Sequence, residues 1–125
     1  HVGHLNILKK AKEMCDFLIV GVSTDELIES YKNKKAIIPF SERFEIVSSV
    51  RFVDKVVAQV NRDKMQAYNE YKFDAMFVGD DWKGKPLFSK LELEFAAKGI
   101  DLVYFSYTIH TSSTLLRHKL ENHNP

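Results

Sequence analysis

A chain of 125 residues is the size of one domain, and an apolar share of 45% is enough for one core. A net charge of +1 excludes a bulk electrostatic case for nucleic acid, so any anion site must come from local clustering. The single cysteine, Cys15, excludes an intramolecular disulfide framework and fits a reducing compartment; no apolar run approaches a bilayer-spanning length. With no signal peptide visible, the chain reads as cytoplasmic.

The chain opens on His1-Val2-Gly3-His4, and Leu5, Ile7, Leu8, Ala11 and Met14 follow at helical spacing. The pattern predicts a helix over His4–Met14 whose first backbone N–H groups lack intrahelical partners and carry the positive end of the dipole. Gly3 allows a ligand close to the backbone, and such a helix start can receive a phosphate. His1 and His4, three apart, can share a face of the first turn and donate hydrogen bonds to charge developing on a transferred phosphoryl group. The same spacing also suits half a metal site or two exposed polar side chains.

Asp16–Val22 is a continuous apolar run, the pattern of a strand buried on both faces. Cys15, just before it, reads as a small buried residue. Ser23-Thr24-Asp25 offers N-caps for a short helix through Tyr31, and Lys32, Lys34 and Lys35 form a basic loop closed by Pro39. Ser41 is the expected cap of the next helix, which runs through Val50 and lets Arg43 and Arg51 share a face. Guanidinium groups suit bidentate phosphate contacts, while a solvated surface would explain the same charges equally well.

A second strand is expected over Val53–Val60, a helix over Asp63–Tyr71 and a third strand over Phe73–Val78. Gly79-Asp80-Asp81-Trp82-Lys83-Gly84-Lys85 follows. Its carboxylates can accept from a ribose or substrate hydroxyl or hold a divalent cation, and Trp82 can wall a pocket or sit in the core. Leu87–Lys98 reads as a helix stopped by Gly99, and Ile100–Phe105 as the last strand. Thr111 or Ser112 caps a final helix through Leu120, where hydroxyls and free N–H groups suit a phosphate, and one hydroxyl suffices for an ordinary cap.

Alternating helices and short apolar strands predict an α/β domain, a parallel sheet with helices on both faces, spanning 1–125 without repeat or linker. Ligands of such sheets sit beyond the carboxyl ends of the strands, where Ser23–Asp25, Asp54, Gly79–Trp82 and the loop before Thr111 are expected. A strand feeding the opening helix is missing, so the sequence reads as truncated at its amino end.

HVGH at 1–4, GVSTDE at 21–26, KNKK at 32–35, SER…VRFVDKV at 41–56, VGDDWKGK at 78–85 and TSSTLLR at 111–117 together resemble the cytidylyltransferase family, in its glycerol-3-phosphate branch. HxGH alone belongs to a wider nucleotidyltransferase superfamily; GDDWKG with the upstream arginines is more specific. The resemblance implies a Rossmann-like fold, a homodimer, no nucleic acid partner and no membrane insertion. It implies cytidylyl transfer from CTP to glycerol 3-phosphate, with Mg²⁺, in a teichoic acid or capsule pathway. By it, His1, His4, Lys34 and Arg51 serve catalysis. Gly3, Arg43, Gly79, Asp80, Asp81, Trp82, Thr111, Ser112, Ser113 and Thr114 bind CTP, and Lys32, Lys34 and Arg51 bind the acceptor. The metal ligands stay open. Tyr107 stands where the family carries an arginine, and Arg62 where some members carry a tryptophan. Ethanolamine phosphate or choline phosphate as acceptor, adenylyl transfer, and a non-catalytic nucleotide-binding or dimerisation module are the alternatives.

Overall fold

The computed structural model describes residues 2–32 and 36–106. The chain packs as two compact units, one of residues 11–66 and one of the residues up to 10 with those from 67 onward. In element order it runs α1 (Val2–Glu13), β1 (Ile19–Ser23), α2 (Asp25–Lys32), α3 (Phe40–Ser48), β2 (Lys55–Gln59), α4 (Lys64–Tyr71), β3 (Ala75–Gly79), a 3₁₀ turn (Asp80–Trp82), α5 (Pro86–Lys98) and β4 (Asp101–Phe105).

The expected α/β class holds: parallel strands alternate with helices. The ladders run in pairs, β1 with β2 from Ile19↔Lys55 to Ser23↔Gln59, and β3 with β4 from Ala75↔Asp101 to Gly79↔Phe105. The strands are less enclosed than their apolar runs suggest, since within them only Val22 and Gly79 are buried. A two-strand ladder has neighbours on one edge only, which leaves most of its side chains half-covered.

In the unit of residues 11–66, Ala11, Leu18, Val22, Leu27 and Ile28 form the core. Thr24 caps α2, its Oγ1 accepting the Leu27 N–H at 3.2 Å, as the Ser-Thr-Asp triplet predicts. Ser41 does not cap α3. Pro39 holds the N-cap position with no side-chain cap, and the first helical N–H, that of Phe40, goes to Asp25 Oδ2 at 3.1 Å. The helix stops at Ser48 rather than Val50, so Arg51 lies in the following turn, not on the helical face of Arg43.

Asp54 is corrected more sharply. It precedes β2, so it sits at the amino end of the strands, opposite the edge where ligands bind. Its Oδ2 accepts the Lys12 ammonium at 2.7 Å and the Leu18 N–H at 2.7 Å, tying the end of α1 to the start of both strands. Lys12 also donates to the Asp16 carbonyl at 2.7 Å. Cys15, beside this knot, is half-buried rather than buried, and burial pushes its thiol pKa up.

The Lys12 hydrogen bond, then the Leu18 amide, hold the Asp54 carboxyl below its ordinary 3.8. A folded pKa below the unfolded one stabilises the protein above the unfolded value, and that stability is lost as pH falls through the folded value. Asp54→Asn is therefore expected to lower the urea midpoint at pH 7, with a deficit that shrinks as pH falls below 3.8 and the folded carboxyl takes up its proton. A deficit that does not shrink would contradict the assignment.

In the other unit, Phe88, Leu91 and Phe95 of α5 and Ile100 are buried, with Phe95 at 0% exposure. Phe73 meets the Phe95 ring edge-on at 5.9 Å and Tyr68 at 5.4 Å. Pro86 opens α5, and Gly99 closes it in the left-handed region at φ 72°, a conformation that costs glycine nothing. The Ile100 N–H then returns to the Phe95 carbonyl at 3.0 Å and turns the chain into β4.

Candidate active site

At the carboxyl end of the first ladder, the Thr24 N–H donates to the Gln59 carbonyl at 3.1 Å and keeps the two strand ends level. Arg43 reaches this edge from α3. Its Nη1 donates to the Ser23 carbonyl at 2.7 Å, its Nη2 to Asp25 Oδ1 at 2.6 Å and its Nε to the Ile38 carbonyl at 2.9 Å. The guanidinium thus joins β1, α2 and the segment before α3. The Phe40 amide, then Arg43, hold the Asp25 carboxyl below its ordinary value.

Beyond the same edge lies a group of cations. The Arg62 guanidinium stands 4.9 Å from the Tyr31 ring centre and the Lys32 ammonium 5.9 Å. Lys64 opens α4, whose cap is Asp63, accepting the Gln66 N–H at 3.0 Å. Burial first, and the Arg62 charge second, push the Lys64 ammonium pKa down. Among the described residues Lys64 has no hydrogen bond or ion pair. A half-covered cation beside a second cation is stabilised by an anion.

In the other unit, β3 delivers Gly79 and the 3₁₀ turn. Gly79 is buried, Asp80 and Asp81 are exposed, and Trp82 is half-buried with its ring 5.4 Å from Phe88. Trp82 therefore braces the turn against α5. Ser106 Oγ, just past β4, donates to Asp80 Oδ2 at 3.3 Å and links the two strand ends. Lys83 lies 5.6 Å over the Tyr104 ring, and the Tyr104 hydroxyl donates to Glu92. Burial, then that carboxylate, push the Tyr104 pKa up to about 12, so the phenol stays protonated. Gly3 and His4 stand on the first turn of α1, Gly3 buried and His4 exposed.

The structure brings Lys32 to Tyr31 and Arg62, gathers Arg43 with Ser23 and Asp25, and joins Asp80 to Ser106. Arg51, exposed in the turn before β2, lies at the amino end of that strand and not at this carboxyl edge. His1, Lys34, Thr111, Ser112, Ser113 and Thr114 lie outside the described residues, as does Tyr107. Lys64 and Ser106 escaped the sequence reading. Ser106 directly follows the predicted strand Ile100–Phe105, so the rule that ligands gather there would have found it; Lys64 lies four residues past Val60, inside the predicted helix.

Parallel strand pairs carrying capped helix starts, cations and paired carboxylates past their carboxyl ends define an α/β nucleotidyltransferase. Residues 1–119 match the family described as cytidylyltransferase-like, and the chain belongs to that family. Glycerol-3-phosphate cytidylyltransferase of Bacillus subtilis is 32% identical over 121 residues, covering 96% of this chain and 88% of the relative. The protein of that name from Staphylococcus aureus is 31% identical, covering 96% of this chain and 86% of the relative. The crystal structure of the lipopolysaccharide core biosynthesis protein from Thermoplasma volcanium superposes with a TM-score of 0.71 at 26% identity, covering 86% of this chain and 88% of that one. An enzyme of this class, rather than a non-catalytic binding module, is therefore the right frame for the site. Among the described residues no helix is long and apolar enough to cross a membrane.

Proposed function

We propose that the protein transfers a cytidylyl group from CTP to glycerol 3-phosphate, giving CDP-glycerol and pyrophosphate. A phosphate oxygen of the acceptor attacks the α-phosphorus in line, the bond to the β-phosphate oxygen breaks, and pyrophosphate leaves. No covalent enzyme intermediate is needed, so the protein's work is to align two polyanions and offset their charge. His1 and His4 donate to the α-phosphate and the leaving group at the start of α1. Gly3, Gly79, Asp80, Asp81, Trp82 and Thr111–Thr114 are the residues this reading assigns to the nucleotide, and Arg43 acts within its own unit of residues 11–66. Lys32 and Lys34 meet phosphates of the acceptor; Arg51, at the amino end of β2, is left out of this reading.

The observation that carries the acceptor reading is the pair of cations, Lys32 and Arg62, at the Tyr31 ring, with the Lys64 ammonium feeling the Arg62 charge. It favours an acceptor that is anionic throughout. Ethanolamine phosphate and choline phosphate each bring a cation that these three would repel. Choline recognition also needs open aromatic faces, and the Tyr31 ring already carries two protein cations. The names of the bacterial relatives, which specify glycerol 3-phosphate, point the same way.

Magnesium is part of this reading. Among the described residues no three His, Cys, Asp or Glu side chains cluster as a metal cage. A cage is not required, because Mg²⁺ keeps several waters and binds through one or two carboxylates plus substrate phosphates. Asp80 and Asp81 fit that modest demand, and the ion would neutralise triphosphate charge.

The test is pyrophosphate release on mixing CTP with glycerol 3-phosphate, ethanolamine phosphate or choline phosphate, with ATP in parallel. Release with glycerol 3-phosphate and CTP is expected to be fastest. Faster release with another acceptor, or with ATP, overturns the proposal. Lys64→Met is expected to raise KM for glycerol 3-phosphate about tenfold or more and to leave kcat nearly unchanged, as loss of a ground-state charge contact does. Initial rates over an acceptor series check this, and an unchanged KM removes Lys64 from the site.

A further inference from the structure

Resting on the nucleotidyl-transfer reading, we infer that Arg43 and Asp25 form one positioning latch, and that Arg43 serves the acceptor edge of its own unit, where Lys32 stands, through the protein rather than by touching substrate. The guanidinium makes three directed hydrogen bonds, to the Ser23 carbonyl, Asp25 Oδ1 and the Ile38 carbonyl, and stands 5.9 Å from the Phe40 ring centre. Its side chain keeps 21% of its exposure. Asp25 uses its second oxygen to hold the Phe40 N–H, so one carboxylate fixes the starts of both α2 and α3. The last carbonyl of β1, the helix that carries Lys32 and the entry to α3 are thereby locked to one another.

A planar fork with three fixed acceptors is a different device from a phosphate clamp. A clamp turns two parallel N–H bonds outward to one anion. Here Nε, Nη1 and Nη2 each already donate to the protein, so three of the five N–H groups are committed. Small displacements of a site cost up to about a hundredfold in rate, so the latch is felt at the substrate without contacting it.

The experiment is a double-mutant cycle with Arg43→Lys and Asp25→Asn in the full chain, read by kinetics and by thermal melting. Asp25→Asn can keep the Phe40 cap and loses the ion pair. Each single variant is expected to raise KM for glycerol 3-phosphate and to lower kcat/KM about tenfold or more, and the double variant to lose no more than the worse single. A simple loss of folded protein would lower apparent kcat at constant KM, so the KM change separates positioning from instability. Losses that multiply, or a loss confined to Arg43→Lys, show direct contact with the substrate and overturn the latch. Undiminished activity in both singles overturns it too. A parent protein that turns over no CTP is seen before any variant is made, and overturns the proposed function itself.

Discussion

Replacing His4 by alanine is expected to lower kcat by about 100- to 1,000-fold while changing the Kd for CTP far less, the size of effect seen when one preorganised donor is removed from a developing charge. His4 is exposed on the first turn of α1, where the backbone N–H groups already favour an anion. In the ground state the α-phosphate is held by many groups, so one imidazole adds little. In the transition state charge moves to the equatorial and leaving oxygens, and a donor fixed beside them gains most. Single-turnover rates and equilibrium CTP titration separate the two. A Kd that worsens in step with kcat would make His4 a plain binding group, and no change in either would remove it from the chemistry.

The second large effect is on stability. Phe95→Ala is expected to cost about 3–5 kcal/mol, the range for truncating a buried aromatic. Phe95 is fully buried on α5, and Phe73 meets it edge-on at 5.9 Å. Its backbone carbonyl also receives the Ile100 N–H that turns the chain into β4. The aromatic run from Tyr68 through Phe73 to Phe95 loses its inner member, and little around it can collapse into the space. Phe95→Leu, which keeps most of the volume, is expected to cost well under half as much. Urea unfolding of both variants is the check, and a cost near 1 kcal/mol for alanine would mean that the site relaxes freely.

Much of this architecture was legible in the sequence because it is written locally. Each of the four expected strands was found within a few residues of its place, and Thr24 and Gly99 cap as their types predict. Short-range patterns carry such features. What escaped is bonded over long separations. Asp25 caps a helix 15 residues on, and Asp54 holds the amide of a residue 36 positions earlier. Nothing near Asp54 distinguishes a knot at the amino ends of strands from a ligand-facing carboxylate. Arg43 was recognisable as a conspicuous cation, but its three carbonyl and carboxylate partners come from segments that only folding brings together. Ser41 was preferred as a cap by residue type, and a proline with a distant carboxylate took that place instead. Lys64 was hidden for a simpler reason: a lysine at the start of a helix is common, and what marks it is that its ammonium has no hydrogen bond or ion pair among the described residues.

The Tyr31 ring has a wider consequence. It is a receptor surface already occupied by its own protein, with Arg62 and Lys32 seated where a quaternary amine would otherwise rest. Under the proposed acceptor reading, the choice of acceptor is set by what covers one ring, not by how the chain is built. Widening it toward amines asks only for that ring to be uncovered, with the ladders, the caps and the amino-end knot left as they are.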